Sequence, residues 1–243
     1  MKSKKICILV ICILIWAVMF VPDCEDVMSY VWNTAGRPTV VVDPGHGGID
    51  GGAQSSDGTV ERDINLDISR KLKKQLERKN IRVIMTRETN EGLYGGTQEG
   101  SIRSLKVKDS KERKRVIDDS GADLTVSIHL NSFTQDRSVR GAQVFYPSEG
   151  DRKHVEESRK AALAIQDALN ENINEDNDKT AAEKNDVFIM QEIKGAVVIV
   201  ECGFLSNRQE AQNLKNEDYQ KRISEILTVG ICRYFDEKIS ENE

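Results

Sequence analysis

The sequence has few cysteines and no excess of positive charge, and each shortage argues against a class of protein. Its 243 residues include five cysteines, an odd number, and no CxxC pair, so neither a disulfide framework nor a cysteine-based zinc finger is expected. The net charge is −5, so the chain is a poor general binder of nucleic acid and none is expected as a partner. With 38% hydrophobic and 31% charged residues, the chain is neither wholly disordered nor a multi-span membrane protein.

The one long hydrophobic run lies at the N-terminus. Three lysines precede an unbroken apolar segment at residues 6–21. A basic start before such a segment is typical of export signals and short membrane anchors, and is rare in a buried core helix. No small-x-small cleavage site follows it, so we expect residues 1–22 to be a signal peptide or, in better agreement with that sequence, an uncleaved anchor. The remainder of the chain would then be exported, either membrane-anchored or secreted.

Strand-like and helical patterns alternate after a linker at residues 23–37. Residues 38–238 contain no internal repeat and are expected to form one domain. Short β-branched runs predict strands at Thr39–Asp43, Ile81–Thr86, Asp123–Leu130, Ala142–Tyr146 and Ala196–Val200. Apolar residues at helical spacing predict helices over residues 60–76, 155–173 and 219–235. We therefore predict an α/β single domain with a mostly parallel central sheet covered by helices on both faces.

Local signals predict where some of these elements begin and what lies between them. Thr59 is the expected N-cap of the first helix, and Ser206 with Gln209 forms an expected capping box. A short strand is predicted at Val187–Met190. Residues 103–115 hold seven basic residues against two acidic ones. That run is either a solvated helix face or a surface that attracts an anionic polymer.

Four residues that can bind a metal or transfer a proton follow strands or begin a helix. His46 and Glu201 each come just after a buried strand, His129 ends another, and Glu61 begins the first helix. Because the carboxyl ends of parallel strands share one edge of a sheet, all four can converge there. Two imidazoles and a carboxylate around an open position make a catalytic zinc site, and a second carboxylate can take a proton. The pattern favours metal-assisted hydrolysis of a carbonyl compound.

Each of these residues also has a purely structural interpretation. A histidine at a strand end can be a hydrogen-bonded core residue, and Glu61 can simply complement a helix dipole. Glu201 follows five apolar residues and needs a partner, a metal or a perturbed pKa. His154, flanked by charges, is expected at the surface, and Cys202 and Cys232 are expected to be packing residues.

Four segments, in order, resemble the signatures of one enzyme family. They are similar to those of the zinc-dependent N-acetylmuramoyl-L-alanine amidases, the amidase-3 family. The segments are residues 40–53 (VVVDPGHGGIDGGA), 61–66 (ERDINL), 122–132 (ADLTVSIHLNS) and 198–207 (VIVECGFLSN). They span nearly all of the predicted exported domain.

The resemblance implies a site, a reaction and a substrate. One Zn²⁺ would be held by His46, Glu61 and His129, and Glu201 matches the family's catalytic glutamate. Three neighbours are candidates for supporting the ligands or contacting substrate: Asp43, Asn65 and Asn131. The implied reaction hydrolyses the amide between the lactyl group of N-acetylmuramic acid and the first L-alanine of the peptidoglycan stem peptide.

A narrower resemblance extends from the end of the second predicted strand into the basic run. Thr86-Arg87, residues 103–107 and Arg113 resemble the germination-specific spore-cortex amidases, the CwlD type. This subgroup implies removal of stem peptides so that muramic-δ-lactam can form, in the forespore-cortex space. A vegetative cell-wall amidase or autolysin is the alternative role, and a helper protein is a possible partner.

Two further classes remain open from the residues. Another zinc hydrolase, such as a peptidase or a carbohydrate deacetylase, can use the same ligand chemistry. A wall-binding scaffold on an inactive amidase fold belongs to a different class, but it would need none of the four site residues.

Overall fold

A six-stranded sheet organises the domain. A computed structural model describes residues 36–95, 100–174 and 176–241. The strands are β1 (Thr39–Pro44), β2 (Arg82–Met85), β3 (Leu124–Asn131), β4 (Gln143–Tyr146), β5 (Ala182–Glu183) and β6 (Val197–Phe204). Their order is β2-β1-β3-β6-β4-β5. The first four strands in that order are mutually parallel, and β4 runs antiparallel to β6. The prediction of a mostly parallel sheet is confirmed.

Helices cover both faces of the sheet, as predicted. In the described part of the chain they are α1 (Glu61–Arg78), α2 (Ile102–Ser120), α3 (Arg152–Asn172), α4 (Phe188–Glu192), α5 (Arg208–Leu214) and α6 (Glu217–Ser240). Helices α1 and α3 pack against the sheet and against α6. Helices α2 and α4 pack against each other, α2 also contacts β1, and α4 also contacts β6.

The central strands are apolar on both sides because both sides are covered. Val40, Val41 and Val42 of β1 are fully buried. Val41 belongs to a core cluster that also contains Ile117 of α2 and Ile189 of α4. Each buried aliphatic side chain stabilises the fold by about 1.5–3 kcal/mol. This packing fixes the carboxyl ends of β1, β3 and β6 at one edge of the sheet.

Both predicted helix caps were wrong by one residue. Helix α1 begins after Val60, without a side-chain cap, because the carbonyls of Ala53 and Gly51 accept its first N–H groups instead of a Thr59 hydroxyl. Helix α5 is capped by Asn207, whose side chain accepts hydrogen bonds from two backbone N–H groups. The Ser206 hydroxyl accepts instead from the N–H of Phe133, across the sheet edge.

The strand predicted at Val187–Met190 was also wrong. This segment enters helix α4, and Ile189 and Met190 reach the core from that helix. A four-residue apolar run fits a buried strand and one turn of a buried helix equally well. The two-residue strand β5 carries no comparable apolar signal and was not predicted.

The hydrophobic N-terminal segment lies outside the described residues. The predicted signal peptide or anchor, and the linker up to residue 35, fall in that part of the chain. Within the described ranges, no helix is both long enough and apolar enough to cross a membrane. The compact unit that follows begins at Pro38.

Candidate active site

Two buried arginines hold the loop that carries His46. Arg87 donates to the carbonyls of Pro44 (3.0 Å), Gly45 (2.9 Å) and His46 (2.8 Å). Arg113 donates to the carbonyls of Pro44 and His46 as well. His46 has φ 63°, a left-handed conformation that costs energy for a residue with a side chain. The arginine clamp, as we call Arg87 and Arg113, holds the loop in this conformation.

Asp43 supports the loop from inside the domain. Its carboxylate is buried and accepts hydrogen bonds from Arg113 (2.5 Å), Thr86 (2.5 Å) and Ser127 (2.7 Å). Burial opposes ionisation of this group, but Arg113 and the two hydroxyls lower its pKa to about 2. Arg113 lies in the basic run, so the expectation of a wholly solvated helix face was wrong at this position.

We expect Arg113→Gln to destabilise the fold by about 3–5 kcal/mol, because it leaves the Asp43 carboxylate buried without its charge partner. The pKa of Asp43 in the folded state is about 2, below its ordinary value of 3.8. This ion pair therefore contributes its full stability at pH values above 3.8, the ordinary pKa of the group, and the contribution is lost as the pH falls through about 2. Urea unfolding at neutral and acidic pH measures both effects.

The neighbouring Lys114→Gln is the matched control, because Lys114 pairs with Asp118 at a partly exposed site. Its loss should cost no more than about 1 kcal/mol. Equal stability of the two variants would show that Arg113 does not support the loop.

His46, Glu61 and His129 come together at the sheet edge. Oε1 of Glu61 lies 3.1 Å from Nε2 of His46 and 3.1 Å from Nδ1 of His129. The centroids of the two imidazole rings are 4.9 Å apart, and the ring planes are almost perpendicular. The potential ligand atoms of the three residues all lie within 4.8 Å of one another. The structure thus brings together the three residues that the sequence selected, in an arrangement that can hold a metal ion.

The carboxylate of Glu61 is fixed by several hydrogen bonds. Oε2 accepts from the N–H of Ala53 at 2.7 Å, and Oε1 accepts from the N–H of Leu130 at 3.0 Å. Asn65, one helical turn later, donates to Oε1 at 3.2 Å and to the carbonyl of Gly45 at 3.3 Å. Asn65 therefore supports the cluster, whereas Asn131 uses its side-chain oxygen to accept from Ser132.

The carboxylates and imidazoles of the cluster shift one another's pKa values. Burial opposes the ionised form of Glu61, but the two histidines lower its pKa. Burial also opposes protonation of His46, but its hydrogen bonds to Asp50 and Glu61 raise its pKa to about 9. The Glu61 carboxylate is therefore ionised at neutral pH and brings a negative charge to the centre of the cluster.

Two glycines of the first motif leave room for the cluster. A Cβ atom at Gly45 would overlap the ring of His129, and one at Gly52 would overlap Glu61 and His46. The motif needs glycine at these positions because the side chains of His46, Glu61 and His129 occupy the space.

Glu201 lies beside the cluster in strand β6. It is the register partner of His129 in the parallel β3–β6 pair, so both side chains project from the same face. Its Oε2 atom is buried and has no hydrogen-bond partner among the described residues. Burial raises the pKa of this carboxyl, and His129 opposes the shift. An unpartnered buried carboxyl oxygen of this kind is suited to exchange a proton with a bound molecule.

The other titratable candidates take the places expected for them. The His154 side chain is 42% exposed. Cys202 is buried, and burial raises the pKa of its thiol. Burial likewise raises the pKa of Cys232 to about 11. Both cysteines are thiols at neutral pH and poor nucleophiles.

A cleft of about 220 Å³ opens beside the two histidines. One part of its lining is apolar and comes from helix α4 and its flanks, and another part comes from α2 and carries charges of both signs. The apolar residues are Val187, Phe188, Ile189 and Ile193, and the residues from α2 are Lys106, Asp109, Ser110, Arg113 and Lys114. The cleft therefore offers apolar contacts in one part and polar or charged groups in the other.

Sequence reasoning missed the roles of Asp50, Arg87 and Arg113. Asp50 contacts His46, and the two arginines bind loop carbonyls. The narrower resemblance included both arginines but gave them no role. The single local signal for Asp50 is its place four residues after His46 in the glycine-rich loop.

Comparison with known proteins identifies one family. Residues 40–233 match the Amidase_3 family, described as N-acetylmuramoyl-L-alanine amidase. The germination-specific N-acetylmuramoyl-L-alanine amidase of Bacillus subtilis is 35% identical over 199 residues, which are 82% of this chain and 80% of that protein. The amidase AmiC of Escherichia coli is 30% identical over 82% of this chain and 53% of its own length.

The solved structures that resemble this chain include amidases as well. The CwlD amidase from Clostridioides difficile, determined in complex with the GerS lipoprotein, has a TM-score of 0.77 and 35% identity over 82% of this chain and 99% of that one. An N-acetylmuramoyl-L-alanine amidase from Clostridium difficile 630 has a TM-score of 0.68 and 28% identity, over 82% and 97% of the two chains. The chain therefore belongs to the Amidase_3 family of N-acetylmuramoyl-L-alanine amidases.

Proposed function

We propose that this amidase is zinc-dependent and that it hydrolyses the bond between the lactyl group of N-acetylmuramic acid and L-alanine in peptidoglycan. The observation that carries the proposal is the position of Glu61 Oε1, 3.1 Å from one nitrogen of His46 and of His129, with the unpartnered Glu201 carboxyl beside them. Because peptidoglycan lies outside the cytoplasmic membrane, this function places the enzyme there.

The donor set fits zinc. Two imidazole nitrogens and one carboxylate oxygen are the ligand types of catalytic zinc sites, which leave a fourth position for water or substrate. His46, Glu61 and His129 would hold the ion. When bound, zinc supplies Lewis-acid activation of the amide carbonyl and of the attacking water.

Glu201 would transfer the proton. In its ionised form, Oε2 takes a proton from the attacking water, and the protonated carboxyl then gives it to the departing nitrogen of L-alanine. The carbon–nitrogen bond breaks, which leaves a lactyl carboxylate and a free amino terminus. Burial raises the pKa of Glu201, and a raised pKa makes a carboxylate a better base and allows the same group to act next as an acid.

The spore cortex is the proposed site of action. Support comes from the germination-specific relative in Bacillus subtilis, which this chain matches over 80% of that protein's length. In the cortex, removal of the stem peptide frees the lactyl carboxylate, from which muramic-δ-lactam can form. The GerS lipoprotein in the Clostridioides difficile CwlD structure suggests that a lipoprotein can be a partner here too.

Product analysis tests the reaction. The full chain, incubated with zinc and intact peptidoglycan, should release L-alanine amino termini and lactyl carboxylates in equal amounts, and a chelator should stop both. Amino termini from other stem-peptide residues would indicate a peptidase, and free acetate would indicate a deacetylase. Either result would contradict the proposal.

The cortex role has its own test. Spores without this gene should contain cortex with intact stem peptides and no muramic-δ-lactam. Normal lactam content together with altered vegetative walls would instead support an autolysin.

A further inference from the structure

We propose that Asp50 positions His46 as a metal ligand and that Lys106 fixes Asp50 from helix α2. Asp50 is then a positioning residue that acts through His46, and the inference rests on the metal site of the proposed function. Oδ2 of Asp50 lies 3.0 Å from Nδ1 of His46, and the other ring nitrogen, Nε2, lies 3.1 Å from Glu61. One nitrogen therefore faces the cluster and the other faces a carboxylate outside it.

Asp50 is itself held on several sides. Its other oxygen, Oδ1, lies 2.8 Å from Nζ of Lys106 and accepts from the N–H of Gly52 at 3.3 Å. Its backbone forms two hydrogen bonds of 3.0 Å with Gly47, which close the turn after His46. The turn and the lysine together fix where the carboxylate meets the ring.

His46 needs such support more than His129 does. His129 is part of the central strand β3, and its ring packs against Gly45. His46 lies on a loop and has φ 63°. An imidazole on a loop can rotate and can carry its proton on either nitrogen. A carboxylate at Nδ1 fixes both the ring orientation and the tautomer, so that the lone pair of Nε2 points at the site.

Zinc affinity is the measurement that tests the role of Asp50. For the full chain, competition with a chelator should show zinc binding about 10–100-fold weaker in Asp50→Ala than in the wild type, the usual cost of losing such a partner. Asp50→Asn should lose less, because its amide oxygen can still accept from Nδ1–H. Lys106→Ala should lose less than Asp50→Ala, because the carboxylate remains.

Each variant has a matched control. Asp57 lies in the same loop and pairs with Lys215, and no histidine contacts it. Lys114 lies on the same helix as Lys106 and lines the same cleft, but it pairs with Asp118. Asp57→Ala and Lys114→Ala should bind zinc like the wild type. Equal losses in the controls would show a general loosening of the loop and overturn the inference.

Nitrogen NMR of the histidine rings gives a second readout that a merely structural role would not change. The chain has three histidines, so their ring signals can be assigned by substitution. In the zinc-loaded wild type, His46 should show a slowly exchanging proton on Nδ1, and Asp50→Ala should lose it. If the wild type and Asp50→Ala bind zinc equally tightly and keep this signal, Asp50 has no positioning role, although the metal site stands. If the folded wild type binds no zinc, the proposed function fails as well.

Discussion

Replacing Glu201 with glutamine is expected to lower turnover about 10²–10⁴-fold, the usual cost of removing a general base. Glutamine keeps the shape of the side chain but has no basic oxygen to accept a proton. The three proposed metal ligands remain, so the variant should keep its zinc, its fold and its affinity for peptidoglycan fragments. Initial rates on peptidoglycan, together with metal content, measure the two properties separately.

Glu210→Gln is the matched control for this substitution. Glu210 is also a buried glutamate whose pKa is raised by burial, but both of its oxygens accept backbone N–H groups, from Gly141 and Phe204. We expect Glu210→Gln to lower the stability of the fold with little effect on turnover. Glu201→Gln should instead lower turnover with little effect on stability. Near-normal turnover in Glu201→Gln would make Glu201 a structural carboxylate. Loss of zinc in Glu201→Gln would make it a ligand instead.

His129→Ala is expected to lose zinc and activity together. Loss of a proposed ligand should weaken zinc binding by more than the roughly 10–100-fold expected for loss of a supporting hydrogen bond. Metal content after dialysis and rates at saturating zinc measure the effect. His154→Ala is the control, because the side chain of this third histidine is 42% exposed and lies on helix α3. A His129→Ala protein that retains tightly bound, stoichiometric zinc would show that the ligand assignment is wrong.

The parts of the fold that could be predicted are those in which local pattern and tertiary environment agree. The run at Ala196–Val200 is apolar at every position because strand β6 is covered on both faces. The carboxyl half of such a strand lies towards the edge that carries the site, so the neighbourhood of Glu201 could be predicted, although β6 continues past Glu201 to Phe204 and Glu201 lies within the strand and not after it. The same argument placed His46 and His129 at that edge.

What could not be predicted depends on partners far away in the chain. Arg113 lies among exposed lysines of the same charge, and nothing local marks it as buried. Its partner Asp43 is 70 residues earlier in the chain, and the two residues meet only in the folded domain. The strand predicted at Val187–Met190 was wrong for a related reason. The length of this segment suits either a strand or a helix, and its packing in the fold decides between them.

The cluster depends on the absence of side chains at Gly45 and Gly52. Their missing side chains make way for the rings of His129 and His46 and for the carboxylate of Glu61. An alanine scan restricted to residues with functional groups would pass over both positions, and a search for chemically reactive side chains would as well. A single added methyl group at Gly45 would nevertheless displace His129, and one at Gly52 would displace Glu61 or His46. The arrangement of the cluster therefore depends on two residues that contribute no side-chain atom at all.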